Sequence, residues 1–462
     1  MATLSPAIQQ ALGDVAKLFQ VSNDDLIQVT KGFGDAYLRG LQLPDQPVVM
    51  GPSYVKNDED DGTESGAFLV LDIGWNNIYV AKLELDGKGS YTSVFKVSDI
   101  PKEIMTSDAN TFFGYLAQSV KTFLTENSIQ GKGLSLGFRF PFAVQKTSLR
   151  SGILLGWSKG FNIKGTVGKD PAGLLQNALD QAGLGVTVAA LVNDTVASVL
   201  AASYSSVSCV MSAIYGAGTN GAYSEPAAGI AKLPNFKEDE MIINTEWGAF
   251  SDRSVLKPNT FDDQVDKLSL NAGQYLFQKM TCWFYLGEIV RGILLSLVGS
   301  KLLLNGVATD ALKKYHGFST FHAFLVEDAK DLETIKEIIA ENLGYDQSAI
   351  SDQDAEIIRQ VCSIVAERGG KLAGAPVAAL LIHQGHAVLG QANAPSGKLP
   401  IAIAIDGELF IGSQKFQSRF VNSVGAILGA DFANRLQLVH VKEGGIVGAA
   451  IAAYEAINHN HG

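Results

Sequence analysis

The run Ala189-Ala-Leu-Val192 stops abruptly at Asn193-Asp194-Thr195, where a buried strand would meet the next helix. In open α/β sheets that edge is where ligands bind and where reactive groups stand. A carboxylate held there can take the proton of an attacking hydroxyl as a phosphoryl group arrives, which makes Asp194 a candidate general base. A side chain capping the following helix is the plainer reading of the same triplet. Two further turns carry chemistry of another kind: Asp72-Ile-Gly74, closing one apolar run, and Gly216-Ala-Gly-Thr-Asn220, closing another. Glycine in such turns lets backbone N–H groups come close to an anion without a side chain intervening.

The elements that must position these groups follow from the apolar pattern. Residues 67–74 read as a strand, 78–85 as its hairpin partner, 112–124 as a helix and 134–140 as a strand. Residues 186–192 deliver Asp194, and 209–215 open a second strand that leads into the glycine-rich turn. The recurrence of a strand with a glycine-rich turn suggests two related lobes facing each other, without a sequence repeat strong enough to prove it. Amphipathic helices occupy residues 7–38, and a proline-rich segment then leads into an acidic linker at 56–64. Helical spacing dominates at 275–297, 333–343 and 356–372, a late strand spans 401–407, and 444–453 is a helix of small residues suited to close packing.

A chain of 462 residues exceeds the size of one core, so two or three lobes are expected. With 47% hydrophobic and 18% charged residues it is a well-buried globular protein. A net charge of −11 argues against nucleic acid as a partner. Neither a basic region before a long apolar core at the N-terminus nor an apolar run of membrane-spanning length is visible, so no membrane partner is expected. The cysteines, Cys209, Cys282 and Cys362, are odd in number and widely spaced, which points to a reducing compartment: the cytoplasm, with the nucleus as a further location. His383 and His386 lie among small apolar residues without an acidic neighbour in sequence and read as structural or surface histidines; no metal site is expected.

Several strings, taken in order, resemble the hexokinases, glucokinases included. They are Gly137-Phe, Gln145-Lys-Thr-Ser-Leu149, Gly152-Ile-Leu-Leu, Trp157-Ser-Lys-Gly-Phe161, Leu191-Val-Asn-Asp-Thr-Val196, Ile243-Asn-Thr-Glu-Trp-Gly-Ala-Phe250 and Tyr285-Leu-Gly-Glu-Ile-Val-Arg291. The likeness runs from about residue 66 to about 453, and the chain looks like an atypical, fungal-type member. The resemblance implies an α/β, two-lobed actin-like ATPase (ribonuclease H-like) fold with sugar and nucleotide in the inter-lobe cleft. It implies this division: 1–65, N-terminal helices and acidic linker on the large lobe; 66–192, small lobe; 193–443, large lobe; 444–462, a C-terminal helix returning to the small lobe. Carried over residue by residue, Asp194 is the base for the sugar 6-hydroxyl with Lys159 beside it, while Ser158, Asn193, Asn220, Glu246 and Gln278 hold the sugar. Asp72, Gly74, Trp75, Asn76, Asn77, Tyr79, Gly216, Gly218, Thr219, Gly444 and Gly445 form a degenerate nucleotide site. Carboxylates and carboxamides suit a pyranose, because they offer directional partners to its hydroxyls.

The departures fall mainly on the phosphate side. Where the family reads Asp-Gly-Gly-Thr-Asn-x-Arg, this chain has Trp75 in the turn and Tyr79 in place of the arginine. An indole would stand where phosphate must approach, and a phenol offers one neutral donor against five charged ones. Ala217 replaces a threonine, and 443–450 lacks a lysine of the family pattern. On the sugar side Pro141 and Ala143 alter a Ser-Phe-Pro segment, and Gln278 replaces a glutamate. Losing one arginine or transition-state donor costs about 3–4 kcal/mol, whereas Glu to Gln at a sugar hydroxyl costs about 1–2 kcal/mol. The first reading is therefore a hexose-binding sensor or regulator of carbon metabolism, with weak or lost phosphoryl transfer and a regulatory protein as partner. The alternative is an active ATP-dependent 6-kinase for glucose or N-acetylglucosamine, for which ATP and Mg2+ would be required; the ending Gly-Gly-Ile-Val-Gly-Ala-Ala is similar to fungal N-acetylglucosamine kinases.

Overall fold

The computed structural model describes residues 4–56, 62–205, 209–233, 239–389 and 400–458. The acidic centre of the expected linker, 57–61, and the terminal residues 1–3 and 459–462 lie outside the described residues. The strands are β1 (Gly51–Pro52), β2 (Ser65–Ile73), β3 (Asn77–Asp86), β4 (Tyr91–Asp99), β5 (Ser135–Arg139), β6 (Val144–Lys146), β7 (Gly152–Leu154), β8 (Thr187–Val192), β9 (Cys209–Tyr215), β10 (Thr219–Pro226), β11 (Glu240–Asn244), β12 (Ile401–Asp406) and β13 (Leu436–Val439).

One sheet runs β4-β3-β2-β5-β8 and another β1-β11-β10-β9-β12-β13, with β6 and β7 forming a small ribbon. In the first, β2, β3 and β4 are an antiparallel meander and β5 and β8 add in parallel to β2. In the second, β9, β10 and β11 are the meander and β12 and β13 add in parallel to β9. The repeat that sequence comparison does not prove is thus present in the topology, with β1 as an extra edge strand.

Alternating side chains explain why β2 reads as a continuous apolar run. Leu69, Leu71 and Ile73 enter one core with Phe112 and Leu175, while Phe68 and Val70 enter another with Ile446 and Val447. Asp72 shares the side of Phe68 and Val70, so its carboxylate faces the layer that contains the helices Asp194–Tyr204 and Gly444–Asn458. Those helices lie close to the sheet and to each other. A Cβ on Gly137 would stand 2.0 Å from the Ala449 carbonyl oxygen, and one on Gly448 would stand 1.8 Å from that of Ala197.

A third core, the largest, joins the second sheet to the N-terminal helices Pro6–Phe19 and Asn23–Gln42 and to the long helix Asp352–His383. Tyr37 donates to the Pro376 carbonyl at 3.1 Å inside that long helix. Lys232 ties the segment after Asn23–Gln42 in place by donating to the carbonyls of Gly40, Val49 and Met50 at 2.6–2.7 Å, and burial pushes its pKa down to about 8.

Two departures from the periodicity have clear causes. The helix expected over 275–297 is broken into Leu276–Thr281 and Trp283–Gly299, because Cys282 is extended (φ −101, ψ 155). The freed Trp283 N–H donates to the Gly216 carbonyl at 2.9 Å, so the break anchors the second glycine-rich turn. The helix expected over 356–372 instead spans Asp352–His383, with Pro376 in its interior. Strands β4, β10 and β11 have no clean apolar alternation in the sequence, since Ser, Asn, Gly and Glu interrupt them.

The close approach at Gly137 yields a stability prediction. Gly137→Ala forces helix Gly444–Asn458 away from β5 and should cost about 1–3 kcal/mol, lowering the melting temperature. Gly13→Ala, in a helix where nothing lies within 4 Å of the added carbon, should instead raise it slightly.

Candidate active site

In the Asn193-Asp194-Thr195 triplet the helix cap falls to Asn193. Asn193 is the N-cap of helix Asp194–Tyr204: its Oδ1 accepts the Thr195 N–H at 3.0 Å and the Thr195 hydroxyl at 2.7 Å. Asp194 accepts the same N–H through Oδ1 at 2.9 Å, leaving Oδ2 toward the cleft, 3.8 Å from Lys159 Nζ. The carboxylate is 5% exposed. Lys159 also donates to the Pro141 carbonyl at 2.9 Å, which fixes its ammonium over the base.

Lys159, Asp194, Ser158, Asn193, Asn220, Glu246 and Gln278 all line one pocket, with Tyr275 as a further wall. Its free volume is about 20 Å³, room for about one water, so the walls must separate to admit anything larger. Asn220 Nδ2 donates to Asn244 Oδ1 at 2.7 Å and to Glu246 Oε1 at 3.3 Å, and Asn244 Nδ2 donates to the same Oε1 at 2.8 Å. Burial raises the Glu246 pKa, and the nearby Asp194 charge adds to this, against the hydrogen bonds of Asn244 and Asn220. Both Lys159 and Glu246 have φ of +57°, left-handed conformations that non-glycine residues hold only when their surroundings enforce them. For Glu246 the enforcing contact is its own N–H, which donates to Asn220 Oδ1 at 2.9 Å.

Gln278 accepts the Thr219 N–H through Oε1 at 3.3 Å, while its Nε2 is buried without a partner. A pocket wall that would carry an acceptor oxygen as glutamate therefore carries a donor. Gly218 must lack a side chain here, since a Cβ would stand 2.6 Å from Gln278 Oε1 and 2.8 Å from Lys159 Cε.

Beyond Asp194 the pocket continues into a cleft of about 380 Å³. Asp72, Gly74, Trp75, Asn77, Tyr79, Gly216, Gly218, Gly444 and Gly445, all named in the nucleotide assignment, line it together. Two residues of that assignment are placed otherwise. Thr219 faces the smaller pocket, and its hydroxyl accepts the Trp247 indole N–H at 2.8 Å. Asn76 does not line the cleft; its carbonyl accepts the Ile100 N–H at 2.7 Å on the far side of the turn. Trp75 lines the cleft; the residue is 37% exposed and its ring meets that of Phe284 edge-on at 6.5 Å.

The sequence reading missed three cleft residues of consequence, Arg139, Asp406 and Glu408, and also Asn244, which supports Glu246. Arg139 closes β5 level with Asp72, and Nη1 lies 2.5 Å from Oδ1. Burial works against the guanidinium charge, but the charges of Asp72, Asp194 and Asp406 outweigh it and hold it protonated. Burial also pushes Asp72 and Glu408 upward. A charged residue ending a buried strand was the available signal for Arg139. His383 has the acidic partner that its sequence neighbours lack: Nε2 lies 2.7 Å from Glu225 Oε2, which also accepts the Tyr223 hydroxyl at 2.5 Å. Among the described residues no group of three or more His, Cys, Asp or Glu is arranged to hold a metal ion, and no helix is long and apolar enough to cross a membrane.

Fold and site together define a two-lobed α/β protein of the actin-like class, with a hydroxyl-binding pocket opening into a glycine-lined cleft. The hexokinase family models match residues 11–204 and 210–454. The chain is 33% identical over 448 residues to the chloroplastic hexokinase-4 of Oryza sativa subsp. japonica, covering 92% of this chain and 85% of that protein. It is 34% identical over 397 residues to hexokinase-3 of Rattus norvegicus, covering 85% of this chain but only 42% of that protein's length. Among solved structures it is similar to the hexokinase from Schistosoma mansoni complexed with glucose, with a TM-score of 0.88, 32% identity, and coverage of 97% of this chain and 99% of that one. The chain belongs to the hexokinase family.

The raised Glu246 carboxyl predicts a pH effect on hexose binding. A carboxylate is a stronger acceptor for a hydroxyl than the neutral acid, so affinity should fall as pH drops through the elevated Glu246 pKa, beginning above the ordinary glutamate range. Glucose titration calorimetry between pH 5 and 8 should show this fall in the wild type, and Glu246→Gln should flatten it.

Proposed function

We propose that this chain transfers a phosphoryl group from ATP to the primary hydroxyl of a hexose. The observation that carries the reading is the position of Asp194, a buried carboxylate that shares the Thr195 N–H with Asn193, keeps Oδ2 free of it, and stands where the polar pocket meets the larger cleft. A hexose held by Asn220, Glu246 and Gln278 would present its free hydroxyl to Asp194 Oδ2. As that oxygen bonds to the γ-phosphorus, its proton passes to the carboxylate, and the bond from phosphorus to the bridging oxygen breaks to release ADP. The hexose is suggested by the glucose in the schistosome relative, with which this chain shares its fold over nearly its full length.

Lys159 Nζ lies 3.8 Å from Asp194 Oδ2, beside the oxygen that would take the proton. Magnesium fits as a companion of the nucleotide, since Asp72, Asp406 and Glu408 reach the cleft without forming a cage of their own. When bound it neutralises charge on the phosphate oxygens. The open cleft beside Trp75 supports nucleotide access.

A second reading, a hexose sensor with little turnover that signals through a regulatory protein, draws on a specific contact. Arg139 already pairs with Asp72, a carboxylate at the phosphate turn. The two readings separate in a coupled assay with saturating MgATP and a sugar panel including glucose and N-acetylglucosamine. The kinase reading expects turnover with at least one hexose, and a loss of about 10²–10⁴ in kcat for Asp194→Asn with sugar affinity little changed. Absence of turnover across the panel, with a hexose still raising the melting temperature, would favour the sensor.

A further inference from the structure

The wide cleft is acidic where a polyphosphate would have to lie. Asp72, Asp194, Asp406, Glu408 and Glu443 line it, against Lys159, Arg139 and His440. Lys159 is committed to the Pro141 carbonyl and to Asp194, and His440 stands half-exposed at 3.5 Å from Asp406. Arg139 differs from both. Among the described residues its one hydrogen-bond partner is Asp72, at Nη1, and its Nε is buried without a partner. The Nε side is pressed against the start of helix Gly444–Asn458, where a Cβ on Gly445 would stand 2.7 Å from it. A guanidinium carries five donors in a planar fork; with Nε against Gly445 and Nη1 on Asp72, the Nη2 edge is the part left for a ligand in the cleft that Arg139 lines.

Strand register says which ligand. Asp72 on β2 is flanked at the same level by Tyr79 on β3 and Arg139 on β5. The turn after Asp72 and the glycines at 216, 218, 444 and 445 surround the same space, so Arg139 projects into the part of the cleft with the least side-chain bulk. We propose that Arg139 is the residue through which this chain grips the nucleotide's phosphates, with Asp72 as the carboxylate that aims it. The inference rests on the reading that a nucleotide occupies this cleft, and it adds a phosphate-binding group that Tyr79 cannot supply.

The test is calorimetric, on the full chain with glucose present, using MgADP and adenosine as probes. Arg139→Thr should weaken MgADP by about 10- to 100-fold while leaving adenosine and glucose affinities unchanged. Arg139→Lys, which keeps a charge beside Asp72, should fall between wild type and Arg139→Thr; it also carries the test if Arg139→Thr leaves Asp72 unpaired and fails to fold. Adding Tyr79→Arg to Arg139→Thr should recover part of the loss, because it places a guanidinium on the other side of Asp72. Unchanged MgADP affinity in variants that keep a normal glucose-induced melting shift would overturn the proposal, as would failure of the wild type to bind MgADP. Turnover, measured separately, tells the two readings apart. Arg139-dependent ADP binding without turnover sinks only the kinase reading, whereas turnover with Arg139-independent nucleotide affinity sinks only this one.

Discussion

Everything at the cleft depends on backbones that approach without side chains between them. Gly137 lets the carbonyl of Ala449 lie against β5, and Gly448 lets the helix Gly444–Asn458 rest on the carbonyl of Ala197. That double contact locks together the strand ending at Arg139, the helix beginning at Asp194 and the helix beginning at Gly444. Their polar ends consequently open into one cleft. A methyl group at either glycine would move a whole element, because protein interiors have little free space to absorb it.

On this frame the polar groups are arranged in pairs that free one member for chemistry. Asn193 caps its helix so that Asp194 keeps an oxygen toward the cleft. Asn220 and Asn244 hold Glu246, and Asn220 also accepts the Glu246 N–H, supporting a backbone conformation that would otherwise relax. Asp72 holds one corner of Arg139 and leaves the Nη2 edge available. In each case a short, firmly bonded neighbour bears the structural duty, which is how a site stays organised before its ligand arrives.

The substitutions on the phosphate side meet specific neighbours in three dimensions. Trp75 occupies a glycine position, yet its ring finds an aromatic neighbour in Phe284 and leaves the cleft beside it open. Tyr79 offers only a phenol, yet the opposite neighbour of Asp72 is an arginine. The two residues stand on either side of Asp72 in the sheet although they are 60 positions apart in the chain.

Residues in sequence order were enough to place the strands that end at Ile73, Val192 and Tyr215, because buried strands are apolar runs and polar or glycine residues mark where they stop. They were also enough to gather Asp194, Lys159, Asn220, Glu246 and Gln278 into one pocket through the motifs that contain them. The same order could not say that Cys282 would interrupt a helix, since the partner that takes the Trp283 N–H is the carbonyl of Gly216. Nor could it place Arg139, Asp406 and Glu408 around one cleft, or give His383 its glutamate. Those pairings join strands and helices distant along the chain. Local pattern sets which residues face inward, but only the packed sheets decide which of them meet, because charge and hydrogen bonding act over a few ångströms of space and not over positions in sequence.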